Sequence, residues 1–286
     1  MLASKPAAPA PQNPDPLEVP QVHDPVRVVR RDLWRDGVST PGERGIPEET
    51  ATALTYNAAS FAVMMATPRD LEDFALGFSL TEKVVGDAGE IEALDIVESE
   101  AGVELRMWVP LQTEQRLSAR RRQLAGPTGC GLCGIDSLME AVRAPPRVES
   151  TATFTSGDIA AGLDALASGQ ALHRETRAVH GAAFWRPGRG LVAIREDVGR
   201  HNALDKLVGA LARSGEHAGE GLLVMTSRVS VELVQKAAVL GAPVMVAVSA
   251  PTALAVRTAE AAGITLVASA RGGSFEVFTH PGRLSA

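Results

Sequence analysis

From Ala182 to the C-terminus, short apolar runs alternate with helical patterns, and this alternation restricts the fold more than any other feature of the chain. Ala182–Trp185 and Leu191–Ile194 form a hairpin turned at Pro187-Gly188-Arg189-Gly190. A helix over 203–213, strand Leu222–Met225, helix 231–239, strand Val244–Val248 and helix 252–261 follow. Strands Thr265–Ala268 and Phe275–Phe278 complete the series. Apolar strands this short, separated by helices, predict a sheet that is at least partly parallel and covered by helices. With 45% hydrophobic and 22% charged residues, the chain has enough apolar surface for a real core.

The N-terminal half reads differently. Residues 1–25 hold seven of the eighteen prolines and few apolar anchors, which predicts a tail without a fold of its own. Structure is expected to begin near Val26-Arg27-Val28-Val29. Strands around Ala53–Tyr56 and Phe61–Met65 flank a turn at Asn57. A helix is expected to open with Thr67 as N-cap, Pro68 at its first position and Asp70 completing a capping-box-like start. Its apolar face is Leu71, Phe74, Ala75 and Phe78. Val103, Leu105, Met107 and Val109 alternate as a half-buried strand. The expected organisation is a Pro/Ala-rich tail (1–25), a smaller β-rich part (26–115), an Arg-rich and Cys-x-x-Cys loop (116–135) and an α/β domain (136–286).

A formal net charge of −6 argues against a general nucleic-acid binder. No run of 18 apolar residues predicts a membrane-spanning helix, and no apolar segment follows a basic start as in a secretory leader. A single, closely spaced cysteine pair fits the reducing cytoplasm.

Both cysteines of the chain lie in Thr128-Gly129-Cys130-Gly131-Leu132-Cys133-Gly134. Three glycines around two thiols leave little side chain to bury them, so an accessible loop is expected. Three chemistries suit the pair. Two thiolates supply half of a tetrahedral zinc shell, with His173-Arg174-Glu175 the nearest echo of a deaminase motif, although it follows the cysteines. A thioredoxin-like redox pair would sit earlier in a β-α-β unit. A persulfide carrier needs a thiolate favoured by nearby positive charge, for which Arg120, Arg121 and Arg122 or a helix starting near Asp136 are candidates.

Hydroxyls, glycines and arginines recur where strands give way to helices: Thr226-Ser227-Arg228, Ser249-Ala250-Pro251-Thr252 and Arg271-Gly272-Gly273. Each could be ordinary capping with solvated arginines. Three in succession favour an anionic ligand at the carboxyl ends of the strands. Neither a G-x-G-x-x-G fingerprint nor a Walker A loop is present. Arg195 to Lys206 packs seven ionisable side chains into twelve positions. Such a run is either a solvated face or one wall of a site, and Arg200 and His201, at a helix start, suit phosphate recognition or the poising of a thiol.

Taken together, these motifs resemble the formate dehydrogenase accessory sulfurtransferases, the FdhD family. The resemblance runs through Met64-Met65-Ala66-Thr67-Pro68, Leu76-Gly77-Phe78 with Glu82, the cysteine loop, Arg195–Lys206, Ser227–Lys236 and Val248–Thr252. It implies a cytoplasmic homodimer with a cytidine-deaminase-like layered α/β core and a mixed sheet. It further implies that sulfur passes from a cysteine desulfurase, as a persulfide on Cys130 with Cys133 assisting, to the molybdenum cofactor. That cofactor, a bis-molybdopterin guanine dinucleotide, is a bound substrate destined for the formate dehydrogenase apoenzyme. The residues placed to hold it are Arg200, His201, Arg228, Ser249, Thr252 and the run Ser269-Ala270-Arg271-Gly272-Gly273-Ser274. No structural metal, nucleic acid or membrane partner is expected. The competing readings are a non-covalent cofactor chaperone and a zinc-dependent deaminase-type hydrolase. Two segments depart from the family pattern: Thr176–Val179 lacks a Thr-Gly-Gly before His180, and Ala268–Ser274 lacks an aromatic residue and a second arginine.

Overall fold

The computed structural model describes residues 24–125 and 143–285. Strands β1 (Val26–Arg35) and β2 (Val38–Pro47) pair along their whole length into a hairpin arm. Its two-residue turn, Asp36-Gly37, has positive φ at both positions, as the twist of a tight hairpin requires. Strands β3 (Thr50–Tyr56), β4 (Ala59–Ala66), β5 (Ala93–Ser99) and β6 (Gly102–Trp108) form a four-stranded sheet in the order β4-β3-β6-β5. Helix α1 (Leu71–Thr81) lies on it, and Phe74 and Phe78 meet Leu54, Tyr56, Leu105 and Met107 in one buried cluster.

Two N-terminal expectations are corrected. Helix α1 starts at Leu71, not beside Thr67, because Asp70 stands in the left-handed region and makes no side-chain cap. The Arg-rich stretch up to residue 125 is not loop but part of helix α2 (Leu111–Ala125).

The C-terminal half contains β7 (Phe154–Thr155), α3 (Ser156–Gly169), α4 (Ala171–Thr176), β8 (His180–Arg186), β9 (Gly190–Asp197) and α5 (Arg200–Arg213). It continues with β10 (Leu222–Met225), α6 (Val231–Leu240), β11 (Val244–Ala247), α7 (Ala253–Ala262), β12 (Thr265–Arg271), β13 (Ser274–Val277) and β14 (Leu284–Ser285). Six of these strands make a mixed sheet in the order β13-β12-β11-β10-β8-β9, parallel across β10, β11 and β12. Alternate residues serve opposite faces. Leu223 and Met225 of β10 meet Leu207, Leu233 and Ala255 on the face of α5, α6 and α7, whereas Leu222 and Val224 meet Ile159 and Leu166 of α3. Both faces are covered, which is why these strands read as unbroken apolar runs. The fold is α/β. Among the described residues no helix is long and apolar enough to cross a membrane.

The two sheets are joined through α1 and α5, whose backbones nearly touch. Facing rows spaced by four residues interlock: Asp73, Gly77 and Thr81 on α1 against Arg213, Gly209 and Asp205 on α5. Arg213 Nη1 donates to Asp73 at 2.8 Å, and the Thr81 hydroxyl donates to Asp205 at 2.6 Å. Between them a Cβ on Gly77 would stand 1.7 Å from the Asp205 carbonyl oxygen, and one on Gly209 1.9 Å from that of Asp73. Only glycine fits at either place.

Gly77→Ala or Gly209→Ala is therefore expected to cost about 3 kcal/mol, read as a lower urea midpoint. Gly42→Ala, with nothing within 4 Å of the added carbon, leaves that midpoint nearly unchanged.

Candidate functional site

Strand direction brings the ends of β9, β10, β11 and β12 to one edge of the six-stranded sheet. Because β8 runs antiparallel to both neighbours, its first residue, His180, opens on that same edge opposite Asp197. Between β12 and β9 lie four inter-strand steps, roughly 19 Å at the usual spacing, room for an extended ligand. Neighbouring loops are tied together. Thr226 N–H donates to the Gly181 carbonyl at 3.1 Å, Val229 N–H to that of Ala250 at 3.3 Å, Thr252 N–H to that of Val229 at 2.9 Å, and Ser269 N–H to that of Ser249 at 3.2 Å. The rim is continuous, and the N-termini of α5, α6 and α7 open on it.

Every cofactor-binding residue expected from the sequence falls on this rim, in different states. Arg200 and His201 open α5 behind Gly199, which supplies no side-chain cap. The Nε of Arg200 is buried with no hydrogen-bond partner among the described residues, a donor that an anion's oxygen would satisfy. His201 is half-buried, with Nε2 3.4 Å from the Ser230 hydroxyl. Burial, then Arg200 and Lys236, hold its imidazole below the usual histidine range. His180 is held down in the same way, by burial and then Arg200. Burial pushes the Glu232 carboxyl up, but hydrogen bonds from Ser230 and its own backbone outweigh it and keep the group below the usual range.

Arg228 is exposed and Ser249 half-buried. Arg271 donates to the Val248 carbonyl at 3.3 Å. Other positions have structural duties. The Thr252 hydroxyl caps α7, accepting from Ala255 N–H at 3.2 Å, as the ordinary capping reading has it. Gly272 and Gly273, both at positive φ, make the tight turn between β12 and β13, and the Ser274 hydroxyl closes it by donating to the Arg271 carbonyl. Ser269 holds the left-handed conformation at φ 53°, and Ala270 turns its methyl into the core. Cys130, Cys133 and the helix expected near Asp136 lie outside the described residues, and of Arg120, Arg121 and Arg122 only the backbone, in α2, is described. The Arg143 carbonyl accepts from Gln235 of α6 at 3.1 Å. This anchors the C-terminal flank of the cysteine segment to a helix that starts on the rim. His173-Arg174-Glu175 lies on α4, where His173 Nδ1 is 3.2 Å from the Val179 carbonyl.

Beneath the rim is a layer of buried charge that the sequence reading missed. Asp197 and Lys206 pair at 2.6 Å with no exposed side-chain surface on either. Asp197 also accepts from Thr67 N–H at 2.9 Å, Gly199 N–H at 2.7 Å and the Asn202 amide at 3.0 Å. Lys206 donates to the Thr67 carbonyl at 2.8 Å, and the Thr67 hydroxyl accepts from Val198 N–H at 3.1 Å. Thr67 is thus not a helix cap but a clamp whose backbone and side chain all hold the loop before Arg200. Burial pulls the Lys206 ammonium down, against the opposing pull of Asp197. A second group joins Lys236 to Asp205 at 2.9 Å, Glu82 at 2.8 Å and the Thr81 hydroxyl at 2.9 Å. Burial pushes Asp205 up and works against Lys236, but Asp205 and Glu82 keep that ammonium protonated. The solvated-face alternative for Arg195–Lys206 is corrected for Asp197, Asn202, Asp205 and Lys206, all buried. One signal was available: between Asn202 and Leu211 only two residues are charged, too few for a helix with a solvated face.

Lys206→Met leaves the Asp197 carboxylate buried without its partner and is expected to cost about 3–5 kcal/mol in urea unfolding, part of which Asp197→Asn in the same chain restores. The depressed histidines predict a pH effect. Unfolded, they bind protons near pH 6.5, whereas the folded state binds them only at lower pH. Stability therefore falls as pH drops from about 7 toward 5, and His201→Gln makes the urea midpoint flatter over that window.

The model of the FdhD/NarQ family matches residues 47–285. A protein named sulfur carrier protein FdhD from Agrobacterium fabrum is 52% identical over 259 residues, covering 90% of this chain and 96% of its own length. Its namesake from Brucella abortus is 60% identical over 242 residues, 84% of this chain and 90% of that one. A crystal structure described as a formate dehydrogenase accessory protein, from Desulfotalea psychrophila, superposes with a TM-score of 0.72 at 24% identity. It covers 92% of this chain and 100% of its own, a likeness of fold. Matched by the family model over most of its length and by relatives at these identities, the chain belongs to the FdhD/NarQ family.

Proposed function

We propose that this protein is a cytoplasmic sulfur carrier that loads the molybdenum cofactor before its insertion into formate dehydrogenase, working as a homodimer. In this reading the Cys130 thiolate attacks the terminal sulfur of a persulfide on a cysteine desulfurase. The donor's S–S bond breaks, its electron pair leaves with the donor thiolate, and Cys130 holds the new S–S bond. Cys133 then attacks the Cys130 sulfur. A Cys130–Cys133 disulfide forms, and the terminal atom departs as sulfide carrying the two electrons that the thiols gave up. The sulfide replaces an oxygen ligand on molybdenum, and that oxygen leaves as water after taking up protons. A cellular dithiol reduces the disulfide and resets the carrier.

The observation that carries the reading is the rim. Arg200, Arg228 and Arg271, with the N–H groups opening α5, α6 and α7, converge along one sheet edge, as the pyrophosphates of a guanine dinucleotide cofactor require. The buried Nε of Arg200, without a hydrogen-bond partner among the described residues, suits the same oxygens. The relatives' name, sulfur carrier, supports the cysteine chemistry.

Incubation with a cysteine desulfurase and cysteine is expected to add about 32 Da per sulfur atom to Cys130, located by mass spectrometry. Cys130→Ala abolishes the label and the activation of formate dehydrogenase. Cys133→Ala keeps the label but slows sulfur release. A label on neither cysteine overturns the proposal, and so does full activation by Cys130→Ala, which would leave a chaperone that only holds the cofactor. Arg200→Ala is expected to weaken binding of a guanine nucleotide by about tenfold without changing the persulfide label.

A further inference from the structure

Apart from contacts near its root, where Arg44 meets α4, the β1–β2 arm leaves its surface exposed. It precedes almost all of the segment matched by the family model, which begins at Pro47. Every residue from Arg30 to Arg44 is exposed, and Trp34 near the tip keeps 70% of its surface in water. An isolated two-stranded hairpin is marginal in water, so ten paired positions call for a covering surface. Charge identifies that surface. Directly paired residues share a face, which sorts the arm into two. One face carries Arg27, Arg31, Arg35 and Arg44 with Val29, Leu33, Val38 and Ile46, and no acid. Asp32 and Glu43 are on the other. Arg44 reaches the Thr176 carbonyl and Arg27 reaches Glu48 near the root, while Arg31 and Arg35 have no ion-pair partner among the described residues.

The complement lies on the same molecule. From Val84 to Leu105 the chain has no basic residue. Glu92, Asp95, Glu98 and Glu100 are exposed on or beside β5, whose outer side is unpaired because it is the last strand of its sheet. Pro25, at the root of the arm, lines one hollow with Ile96 and Glu98 of β5. Arm and acidic edge are thus neighbours at their bases, so a two-fold axis nearby would let two arms meet two edges at once.

We propose that the arm docks on the acidic β5 edge of a second copy of this chain, arginine face against carboxylates. This deepens and rests on the two-chain assembly proposed above. Two molecules of net charge −6 repel overall, so association needs such a local match.

Charge-swap pairing tests it on the full-length chain, with mass read by sedimentation and light scattering. The wild type is expected at the mass of two chains, with an affinity that weakens as salt rises. Arg31→Glu with Arg35→Glu, all on exposed side chains, is expected to weaken self-association by at least about tenfold, as is Glu98→Arg with Glu100→Arg. An equimolar mixture of the two variants restores the two-chain mass, because each contact then pairs opposite charges. A wild type of single-chain mass overturns the assembly itself. A two-chain wild type whose affinity neither swap changes, or swapped variants that fail to recombine, overturns the arm contact and leaves the assembly standing.

Discussion

The close crossing of α1 over α5 is the constraint on which the rest depends. Gly77 and Gly209 let two helix backbones approach to a separation that any Cβ would forbid. At that separation the polar residues one turn to either side, Asp73 with Arg213 and Thr81 with Asp205, bond directly. The same crossing brings the four-stranded sheet's connecting segment, Met65-Ala66-Thr67, against the loop that ends β9. Without it the N-terminal part would be a separate layer and the rim would lack its rear support.

Buried charge then does what packing alone could not. Taking a lysine and an aspartate out of water costs several kcal/mol per ion, and a pair barely recovers it. The use of such a pair here is geometric. Asp197 accepts from Thr67, Gly199 and Asn202 as well as from Lys206, and so fixes one conformation for the turn that carries Arg200 and His201. Lys236 plays the matching part behind α6, where Asp205, Glu82 and Thr81 surround its ammonium. The residues proposed to face a ligand are few and partly exposed. Those that hold them are buried, charged and fully paired.

The position of the proposed anion site on a sheet edge follows from topology. β9, β10 and β11 run in the same direction and each leads into a helix at the same edge, so three helix N-termini accumulate there without special sequence. The side chains refine that field. Arg200, Arg228 and Arg271 add fixed charge, and His201, held neutral near pH 7 by burial and neighbouring cations, adds a group that donates or accepts without competing for the anion. Arg143, ten residues after Cys133 in the sequence, is tied to α6 through Gln235.

Much of this could be read from the chain alone. The apolar runs Leu222–Met225 and Val244–Ala247 declared buried strands, because a segment without polar alternation has no face for water. The residues after them pointed to the rim, because loops at the carboxyl ends of parallel strands have one place to go. The glycines around Cys130 and Cys133 raised the expectation of accessible thiols, a segment that lies outside the described residues. The sequence also misled where long-range partners decided the outcome. Thr67 followed by Pro68 has the local pattern of a helix start, yet Asp197, 130 residues later, claims its N–H. Lys206 and Asp205 look like surface charges until Asp197, Lys236 and Thr81 arrive from other elements to bury them. Local propensity is written in neighbours and can be read in order along the chain. Pairings between distant charges exist only once the crossing of α1 and α5 excludes water between them, and so the tertiary structure alone decided which ions are scaffold and which are site.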